Sequence, residues 1–470
     1  MAKETYTPEE PIAAIATALV PAALGIVRTS GKNCIDLVSK AFSRPKALKS
    51  AQGNTLVYGW IVDCESGGKI DEVMLGVYRN GKSFTGEEMV EIYCHGGTST
   101  VLGVYNQMLK AGFRAANRGE YTFRAFINGK ADLTKAEAVK EIIGAKTDQS
   151  RSRAAERLQG ALNSEISSIK AELLHQIAAI EVGIEYPEDE HNITEEVDFS
   201  ALNAINQKLK NLAGSWATEK LYQDGAAVVL CGKTNAGKSS LFNILLKEER
   251  AIVSDIHGTT RDWIESWANF DGIPVRLFDT AGLRQTDDVI EQNGVERTKE
   301  LLPQADLVLY VLDSCAGLSG EDEVFLKDLL GENEKTQKVL LVLNKCDKSQ
   351  NAAALTEELK AKFGDFNSVN VSAKSGTGLK DLTNKVASLL QNSQSGENST
   401  IGLGSKRQKQ AVEEAIDSLN HALSCAGLGF GSDAVVQDIE DALASLGELT
   451  GEVTSDDILQ SVFSAFCVGK

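Results

Sequence analysis

The residues Gly232-Lys-Thr-Asn-Ala-Gly-Lys238-Ser239 indicate how the region around them folds. It fits the pattern G-x-x-x-x-G-K-[ST] of a phosphate-binding loop, and it follows the apolar run Ala226–Leu230, which is typical of a buried strand. Glycines let backbone N–H groups approach phosphate oxygens, and the start of the next helix adds a favourable dipole. We therefore expect Lys238 to reach the β- and γ-phosphates of a nucleotide and the hydroxyl of Ser239 to bind Mg²⁺.

Three further motifs follow this loop, each at the end of an expected strand. They are Asp279-Thr-Ala-Gly282, Asn344-Lys-Cys-Asp347 and Ser372-Ala-Lys374. The Asp347 carboxylate can accept hydrogen bonds from guanine N1–H and the 2-amino group. Adenine lacks both donors there, so such a site discriminates against it by about 10⁴ or more. Four motifs in this order predict a Ras-like P-loop domain that binds GTP.

The candidate contacts to GTP come from these motifs and from residues 254–260, which we interpret as the first switch. They are Asn235, Ala236, Gly237, Lys238, Ser239, Ser240, Ser254, Asp255, Ile256, His257, Gly258, Thr259, Thr260, Asp279, Thr280, Ala281, Gly282, Asn344, Lys345, Cys346, Asp347, Ser372, Ala373 and Lys374. Thr260 is the expected second Mg²⁺ ligand beside Ser239. Leu283 stands where Ras-like enzymes use a Gln to orient water, so another group must position the attacking water.

The chain divides by pattern into parts of different character. Residues 1–125 mix short strand-like runs with Gly turns and predict an α+β domain. Residues 126–221 and 389–470 show helical periodicity, including an apolar seam from Leu158 to Ile184 that needs a partner helix. Residues 222–388 alternate apolar strands with helical stretches, as in a mainly parallel sheet. The simplest architecture inserts this α/β nucleotide domain into a discontinuous helical domain.

Composition limits the remaining possibilities. A net charge of −18 over 470 residues argues against a nucleic-acid binder with a broad basic surface. The segment from Lys110 to Arg157 nevertheless holds eleven basic against six acidic residues, which is either a solvated helix face or a phosphate-contacting patch. The eight cysteines are widely spaced and no apolar run has the length of a membrane span. We therefore expect a cytoplasmic protein with reduced thiols.

Several stretches together resemble the MnmE (also called TrmE) family of the TrmE-Era-EngA group of GTPases, over nearly the whole chain. Besides the nucleotide motifs, the resemblance rests on Gly25–Arg28, Ser83–Glu91, His95–Gly97, Arg118–Lys130, Ala251–Asp262 and Phe466–Lys470. The ending Cys467-Val-Gly-Lys470 resembles the Cys-x-Gly-Lys signature that separates this family from the rest of the group. Cys467 itself is either a nucleophile or a packed small side chain.

The resemblance implies an N-terminal domain that binds a formyl-tetrahydrofolate and forms a homodimer. The residues that match the family's folate contacts are Arg28, Glu91, Lys130 and Lys470. It also implies that potassium activates GTP hydrolysis when two nucleotide domains meet. The ion would be held by Asn235 and the carbonyl groups of Ser254, Ile256 and Thr259. Glu291 matches the residue thought to position water, and with Lys238 it is the catalytic candidate; a solvated charge at a helix start is the alternative reading of Glu291.

The same resemblance implies a reaction on tRNA. Together with an FAD-dependent partner, MnmG (GidA), the family adds an aminomethyl or carboxymethylaminomethyl group to C5 of the wobble uridine of certain tRNAs. The folate would supply the one-carbon unit, and GTP hydrolysis would drive domain movement. A function of another class stays open, in which the chain is a GTP-gated switch in RNA or ribosome assembly.

Overall fold

The computed structural model of the protein describes residues 10–79, 81–185, 197–248, 264–279, 302–331, 338–349, 352–392, 402–428 and 430–470. The chain forms two compact units. The first consists of Met1–Lys140, Arg157–Asn206 and Gln410–Lys470, and the second consists of Glu141–Glu156 and Gln207–Lys409. Each unit therefore draws on chain segments that are distant in sequence.

The first unit contains a six-stranded sheet in the order β3-β4-β5-β2-β1-β6, in which only the β1–β6 pair is parallel. Its strands are β1 (Ile12–Ile15), β2 (Leu24–Ser30), β3 (Thr55–Val62), β4 (Lys69–Tyr78), β5 (Met89–His95) and β6 (Arg114–Ala115). Val73, Leu75 and Val77 alternate with more exposed residues along β4, so one face of the sheet is apolar. The helices α1 (Cys34–Ser39), α2 (Pro45–Ser50) and α3 (Thr98–Ala111) pack on that face. The predicted α+β character is thereby confirmed.

Helices make up the rest of the first unit. They include α4 (Glu120–Ile127), α5 (Leu133–Gly144), α6 (Asp148–Leu158), α7 (Ala161–Glu185), α8 (Phe199–Asp224), α13 (Lys406–Leu428), α14 (Ser432–Thr450) and α15 (Asp456–Ser464), of which α5, α6, α8 and α13 also extend into the second unit. The apolar seam lies on α7, and α14 is its partner helix. Six residues of the seam are buried, namely Leu162, Ile166, Ile169, Leu173, Ile177 and Ile180.

The seam is shorter than its apolar spacing predicts. We expected it to begin at Leu158, but α6 ends at that residue and α7 begins at Ala161. Gly160 between them has a φ of 95°, which a right-handed helix cannot accommodate. The side chain of Leu158 therefore does not continue the seam, and Leu158 is 37% exposed.

The second unit contains a six-stranded sheet in the order β12-β11-β10-β7-β9-β8. Its strands are β7 (Ala226–Cys231), β8 (Ile264–Phe270), β9 (Ile273–Asp279), β10 (Leu307–Asp313), β11 (Lys338–Asn344) and β12 (Asn367–Asn370). All neighbours are parallel except β8 and β9. The helices α9 (Lys238–Glu248), α10 (Gly320–Gly331), α11 (Ala352–Phe363) and α12 (Leu379–Asn392) belong to this unit.

Two apolar layers cover this sheet, one on each face. Val228 and Leu230 of β7 pack in one layer with residues of α9 and α12, whereas Val229 and Cys231 pack in the other with residues of α10 and α11. Strands buried on both faces explain the continuous apolar runs in the sequence. The carboxyl ends of the parallel strands lie at one edge, where an open sheet of this kind binds its ligands.

Candidate functional site

The phosphate loop joins β7 to α9 at this carboxyl edge. Lys238 is 7% exposed, and its ammonium Nζ donates to the carbonyl oxygens of Gly232 at 2.6 Å and Lys233 at 2.7 Å. The lysine side chain is thus held by the backbone of its own loop. A Cβ on Gly237 would lie 2.2 Å from Nδ2 of Asn344, so only glycine permits the observed approach of the loop to β11.

Asn344 at the end of β11 connects the nucleotide motifs. Its Nδ2 donates to the carbonyl oxygen of Ala236 at 2.8 Å. Its Oδ1 accepts from the backbone N–H groups of Lys345 at 2.8 Å and Ala373 at 3.0 Å. The side chain is buried, so these bonds replace its lost hydration. One asparagine therefore joins the phosphate loop, the Asn-Lys-Cys-Asp motif and the Ser-Ala-Lys motif.

Lys345 makes a second connection to the phosphate loop. Its Nζ donates to the carbonyl oxygen of Asn235 at 2.8 Å and to Oδ2 of Asp313 at 2.6 Å. Burial of Asp313 opposes its ionisation, but the hydrogen bond and charge of Lys345 prevail and lower the pKa of that carboxyl. Sequence reasoning missed Asp313, although it ends a buried strand just as Asp279 and Asn344 do.

The remaining described nucleotide candidates lie at the same edge of the sheet. Asp279 ends β9 and is buried, whereas Asp347, Ser239 and Ser240 are exposed. The backbone N–H of Cys346 donates to the carbonyl oxygen of Val371 at 3.1 Å, which joins the two loops expected to meet the base. Beyond Val371, the residues Ser372, Ala373 and Lys374 follow in the loop after β12, with Ser372 buried and Lys374 exposed. Strand ends thus bring together candidates that are far apart in sequence.

A second set of candidates lies outside the described residues. It comprises Ser254, Asp255, Ile256, His257, Gly258, Thr259, Thr260, Thr280, Ala281, Gly282 and Glu291.

Arg28 and Glu91 lie opposite each other on the neighbouring strands β2 and β5 of the first unit. The guanidinium Nε and Nη2 both donate to Oε1 of Glu91, at 3.0 and 2.8 Å. Nη1 of Arg28 donates to the carbonyl oxygen of Gly469 at 3.2 Å. The backbone N–H of Tyr121 donates to the carbonyl oxygen of Lys470, also at 3.2 Å. Residues 469 and 470 are thereby held against the sheet beside Arg28.

Phenol groups face the other carboxylate oxygen of Glu91. The hydroxyl of Tyr93 donates to Oε2 at 2.8 Å, and that of Tyr78 does so at 3.5 Å. Burial and the bond to Glu91 raise the pKa of Tyr93 well above its usual value. One cation and two phenol groups thus hold both oxygens of the Glu91 carboxylate. No motif in the sequence pointed to either tyrosine.

One of the predicted folate residues, Lys130, is less closely associated with this pair. Lys130 donates from Nζ to the carbonyl oxygen of Gly81 at 2.8 Å, in the loop that also carries Phe84. The guanidinium of Arg28 lies 5.6 Å from the centre of the Phe84 ring, so the loop is the common neighbour of both cations. Cys467 is exposed, which argues against the packed side chain among its two alternatives, while its role as a nucleophile stays a prediction.

The basic segment from Lys110 to Arg157 is divided between the two units. In the first unit, Arg114 and Arg124 both pair with the buried Glu120. In the second unit, Arg153 pairs with Glu219. These internal pairs favour a structural role for much of the excess charge over direct phosphate contact.

Comparison with known proteins gives matches along the whole chain. A family profile described as "GTP-binding protein TrmE N-terminus" matches residues 11–130, and one described as "MnmE helical domain" matches residues 133–467. The protein named tRNA modification GTPase MnmE from Treponema denticola is 53% identical over 475 residues, with 99% of each chain covered. The protein of that name from Treponema pallidum (strain Nichols) is 44% identical over 498 residues, with 100% of each chain covered.

Among solved structures, an Aquifex aeolicus Era variant bound to GDP and AlF4⁻ is 28% identical. That match covers 41% of this chain and 66% of the Era chain, with a TM-score of 0.29. No helix within the described ranges has the length and apolarity needed to cross a membrane.

Proposed function

Since the chain belongs to the MnmE family of tRNA modification GTPases, we propose that it acts with an FAD-dependent partner, MnmG (GidA), on the wobble uridine of certain tRNAs. The product would carry an aminomethyl or carboxymethylaminomethyl group on C5. The observation that carries the nucleotide part of this proposal is the bond from Asn344 to Ala236, which joins the guanine-side motif to the phosphate loop.

The residues of the second unit fit a bound GTP. The Lys238 ammonium now donates to carbonyl oxygens of its own loop, and phosphate oxygens are stronger acceptors that can take over those bonds. Asp347 is exposed at the loop that Asn344 orients, so its carboxylate is free to meet a base from solvent. Ser239 and Asp279 would hold the shell of a Mg²⁺ ion, with Thr260 as the second protein ligand. The ion would offset charge on the phosphates.

Asn235 is suited to help bind a potassium ion. Its φ is 65°, and its backbone carbonyl is already engaged by Lys345, while its side chain is exposed. The amide oxygen is therefore available to an ion beside the phosphates. In our proposal the carbonyl groups of Ser254, Ile256 and Thr259 complete that site, Glu291 positions water, and two nucleotide domains meet when GTP is hydrolysed.

The Arg28–Glu91 pair fits a folate. The ring of a reduced pterin presents N–H donors, for which the Glu91 carboxylate is an acceptor, and a folate tail presents carboxylates, for which Lys130 and Lys470 are counter-charges. Phe84 is 40% exposed, and its ring lies 5.6 Å from the Arg28 guanidinium, so it offers apolar surface to a flat ring. We propose that 5-formyl-tetrahydrofolate or a close relative binds here and supplies the one-carbon unit.

The assembly that we propose is a homodimer that recruits MnmG and tRNA. We place it in the cytoplasm, because all eight cysteines are free thiols and a reducing compartment keeps them so.

GTP turnover in KCl and NaCl at equal ionic strength tests the nucleotide part. We expect strong stimulation by potassium in the wild type and its loss in Asn235→Gly, which removes the amide while tolerating the positive φ. GTP affinity should stay within about threefold, and Asn211→Ala, an exposed change on α8, should behave as wild type. Equal rates of the wild type in both salts would overturn the potassium mechanism.

Binding of 5-formyl-tetrahydrofolate tests the first unit. Glu91→Gln keeps the shape but removes the charge, so we expect affinity to fall at least about tenfold. Glu65→Gln, whose side chain is 78% exposed, is the matched control. Wobble uridine that stays fully modified after deletion of the gene would instead favour a GTP-gated switch in RNA or ribosome assembly.

A further inference from the structure

Three side chains that commonly bind metal ions converge in the helical part of the first unit, away from both candidate sites in sequence. His421 and Cys425 lie on α13, and Asp438 lies on α14. The spacing of four residues places the histidine and the cysteine on one face of their helix, one turn apart. Asp438 faces both of them from the neighbouring helix.

The atoms of this cluster are close together. Nδ1 of His421 lies 2.7 Å from Oδ2 of Asp438 and 2.9 Å from Oδ1. The Cys425 sulfur lies 3.7 Å from Nδ1 and 3.8 Å from Nε2 of the same imidazole. One ligand atom from each residue lies within 4.8 Å of the others. A nitrogen, a sulfur and an oxygen therefore surround one point.

The spacing suits a tetrahedral ion. Bond lengths of about 2.0–2.1 Å to nitrogen or oxygen and 2.3 Å to sulfur put ligand atoms about 3.3–3.6 Å apart. The distance from sulfur to nitrogen is already close to that range. The distance from nitrogen to oxygen must widen by about 0.6 Å, which a small rotation of the His421 side chain, 68% exposed, provides.

Burial differs among the three ligands in a way that suits a site open on one side. Cys425 is 8% exposed and Asp438 has a side chain that is 15% exposed, so both are held by the packing of the helices. His421 is on the solvent side of both, so an ion can reach the three ligands from water. Three protein ligands also leave a fourth position for water or another molecule, as in zinc sites that are not closed.

We propose that His421, Cys425 and Asp438 bind a divalent transition-metal ion with the preferences of Zn²⁺. The mixed nitrogen, sulfur and oxygen set disfavours Mg²⁺ and Ca²⁺, which prefer oxygen ligands alone. Binding removes the proton from the Cys425 thiol and releases it to water, so the ion joins α13 to α14 through a thiolate. The alternative is a simple ion pair of His421 and Asp438 beside a packed thiol.

Titration of the metal-free full-length protein with Co²⁺ tests the proposal directly, with GDP and Mg²⁺ present to fill the nucleotide site. Co²⁺ adopts the geometry of Zn²⁺ and reports a bond to thiolate by a charge-transfer band in the near ultraviolet. We expect one equivalent of that band and the visible absorption of a tetrahedral ion, both displaced by Zn²⁺. A spectrum without a thiolate band would overturn the site.

Variants assign the ligands. Cys425→Ser should abolish the band, and Asp438→Asn, which keeps size and fold, should weaken Co²⁺ binding at least about tenfold. Cys315→Ser and Cys467→Ser change the two exposed cysteines and should leave the titration unchanged. If Cys425→Ser fails to fold, Asp438→Asn and His421→Gln still decide, because unchanged affinity in both would contradict the proposal. None of these measurements depends on GTP hydrolysis or folate binding, so their outcome is separate from that of the proposed function.

Discussion

Nδ2 of Asn344 and the carbonyl oxygen of Ala236, 108 residues apart in sequence, are joined by a hydrogen bond of 2.8 Å. The bond crosses from the end of β11 to the phosphate loop. Both groups are buried. The loop that we propose to recognise the base and the phosphate loop are therefore directly linked to each other.

Asn344→Ala should damage both functions of this link. The change leaves the Ala236 carbonyl and the N–H groups of Lys345 and Ala373 without their buried partner, at a cost of about 1–3 kcal/mol. We expect the midpoint of thermal unfolding to fall for the transition that bound GDP shifts, which is that of the nucleotide domain. We also expect GTP affinity to be at least about tenfold weaker. Asn211→Ala is the control and should change stability by less than about 0.5 kcal/mol. An unchanged midpoint and affinity would show that the link is dispensable.

Asp347→Asn should change which nucleotide is preferred. Its carboxylate offers two acceptors, which suit the N1–H and 2-amino donors of guanine. The asparagine amide offers one acceptor and one donor, which suit the N1–H and 2-oxo groups of xanthine. We expect affinity for GTP to fall by about 100-fold or more and XTP to become the better ligand. Competition of both nucleotides against a fluorescent GDP measures this, and retained preference for GTP would remove Asp347 from base recognition.

The sequence predicted best those elements whose environment is uniform. The apolar run Ala226–Leu230 predicts a strand, and β7 spans Ala226–Cys231, because a strand buried on both faces has no polar residue to obscure it. Strand β8 was not predicted. It is the antiparallel edge of its sheet, and its residues Ile264–Phe270 mix polar and apolar side chains.

Motifs in the sequence predicted individual site residues better than the bonds between them. The four nucleotide motifs were found from local spacing, yet nothing in that spacing shows that Lys345 bonds to Asp313. Likewise, the sequence offered no reason to join His421 to Asp438, because the contact depends on how α13 packs on α14. Such contacts arise from tertiary packing, which local patterns do not encode.

The Asp71–His95 pair should give a measurable pH response. Oδ1 of Asp71 lies 2.8 Å from Nδ1 of His95, and this hydrogen bond, with the charge of the carboxylate, raises the pKa of His95 above 6.5. A raised pKa in the folded state means that the pair stabilises the fold fully at pH below the unfolded value. That contribution is lost as the pH rises through the folded value.

Nuclear magnetic resonance of the imidazole C–H signals measures this response. We expect the His95 signal to titrate above pH 6.5 in the wild type and to move to lower pH in Asp71→Asn. Glu72→Gln is the control, because Glu72 acts on His95 only through its more distant charge and should produce a smaller shift. Titration of the wild-type signal at or below 6.5 would refute the pairing.

Arg124 is a buried cation beside the sheet of the first unit. Replacing it should lower the stability of that unit. Its side chain is 1% exposed, and Nη2 donates to Oε1 of Glu120 at 3.0 Å and to the carbonyl oxygen of Glu10 at 2.6 Å. Nη1 donates to Oε2 of Glu87 at 3.1 Å. Arg124→Met keeps much of the volume but leaves Glu120, which is 0% exposed, with less compensation for its charge.

Removing one partner of a buried pair typically costs about 3–5 kcal/mol, so Arg124→Met should lower the stability of the unit by that order. Lys49→Met is the control, because its pair with Asp36 has side chains 54% and 62% exposed and should contribute less than about 1 kcal/mol. Urea unfolding of both variants measures the difference between their free energies of unfolding. Adding Glu120→Gln to Arg124→Met removes the stranded charge, so the double variant should be more stable than the sum of the single changes. Strict additivity would mean that the two side chains do not interact in the folded protein, and that the cost of Arg124→Met comes from lost packing alone.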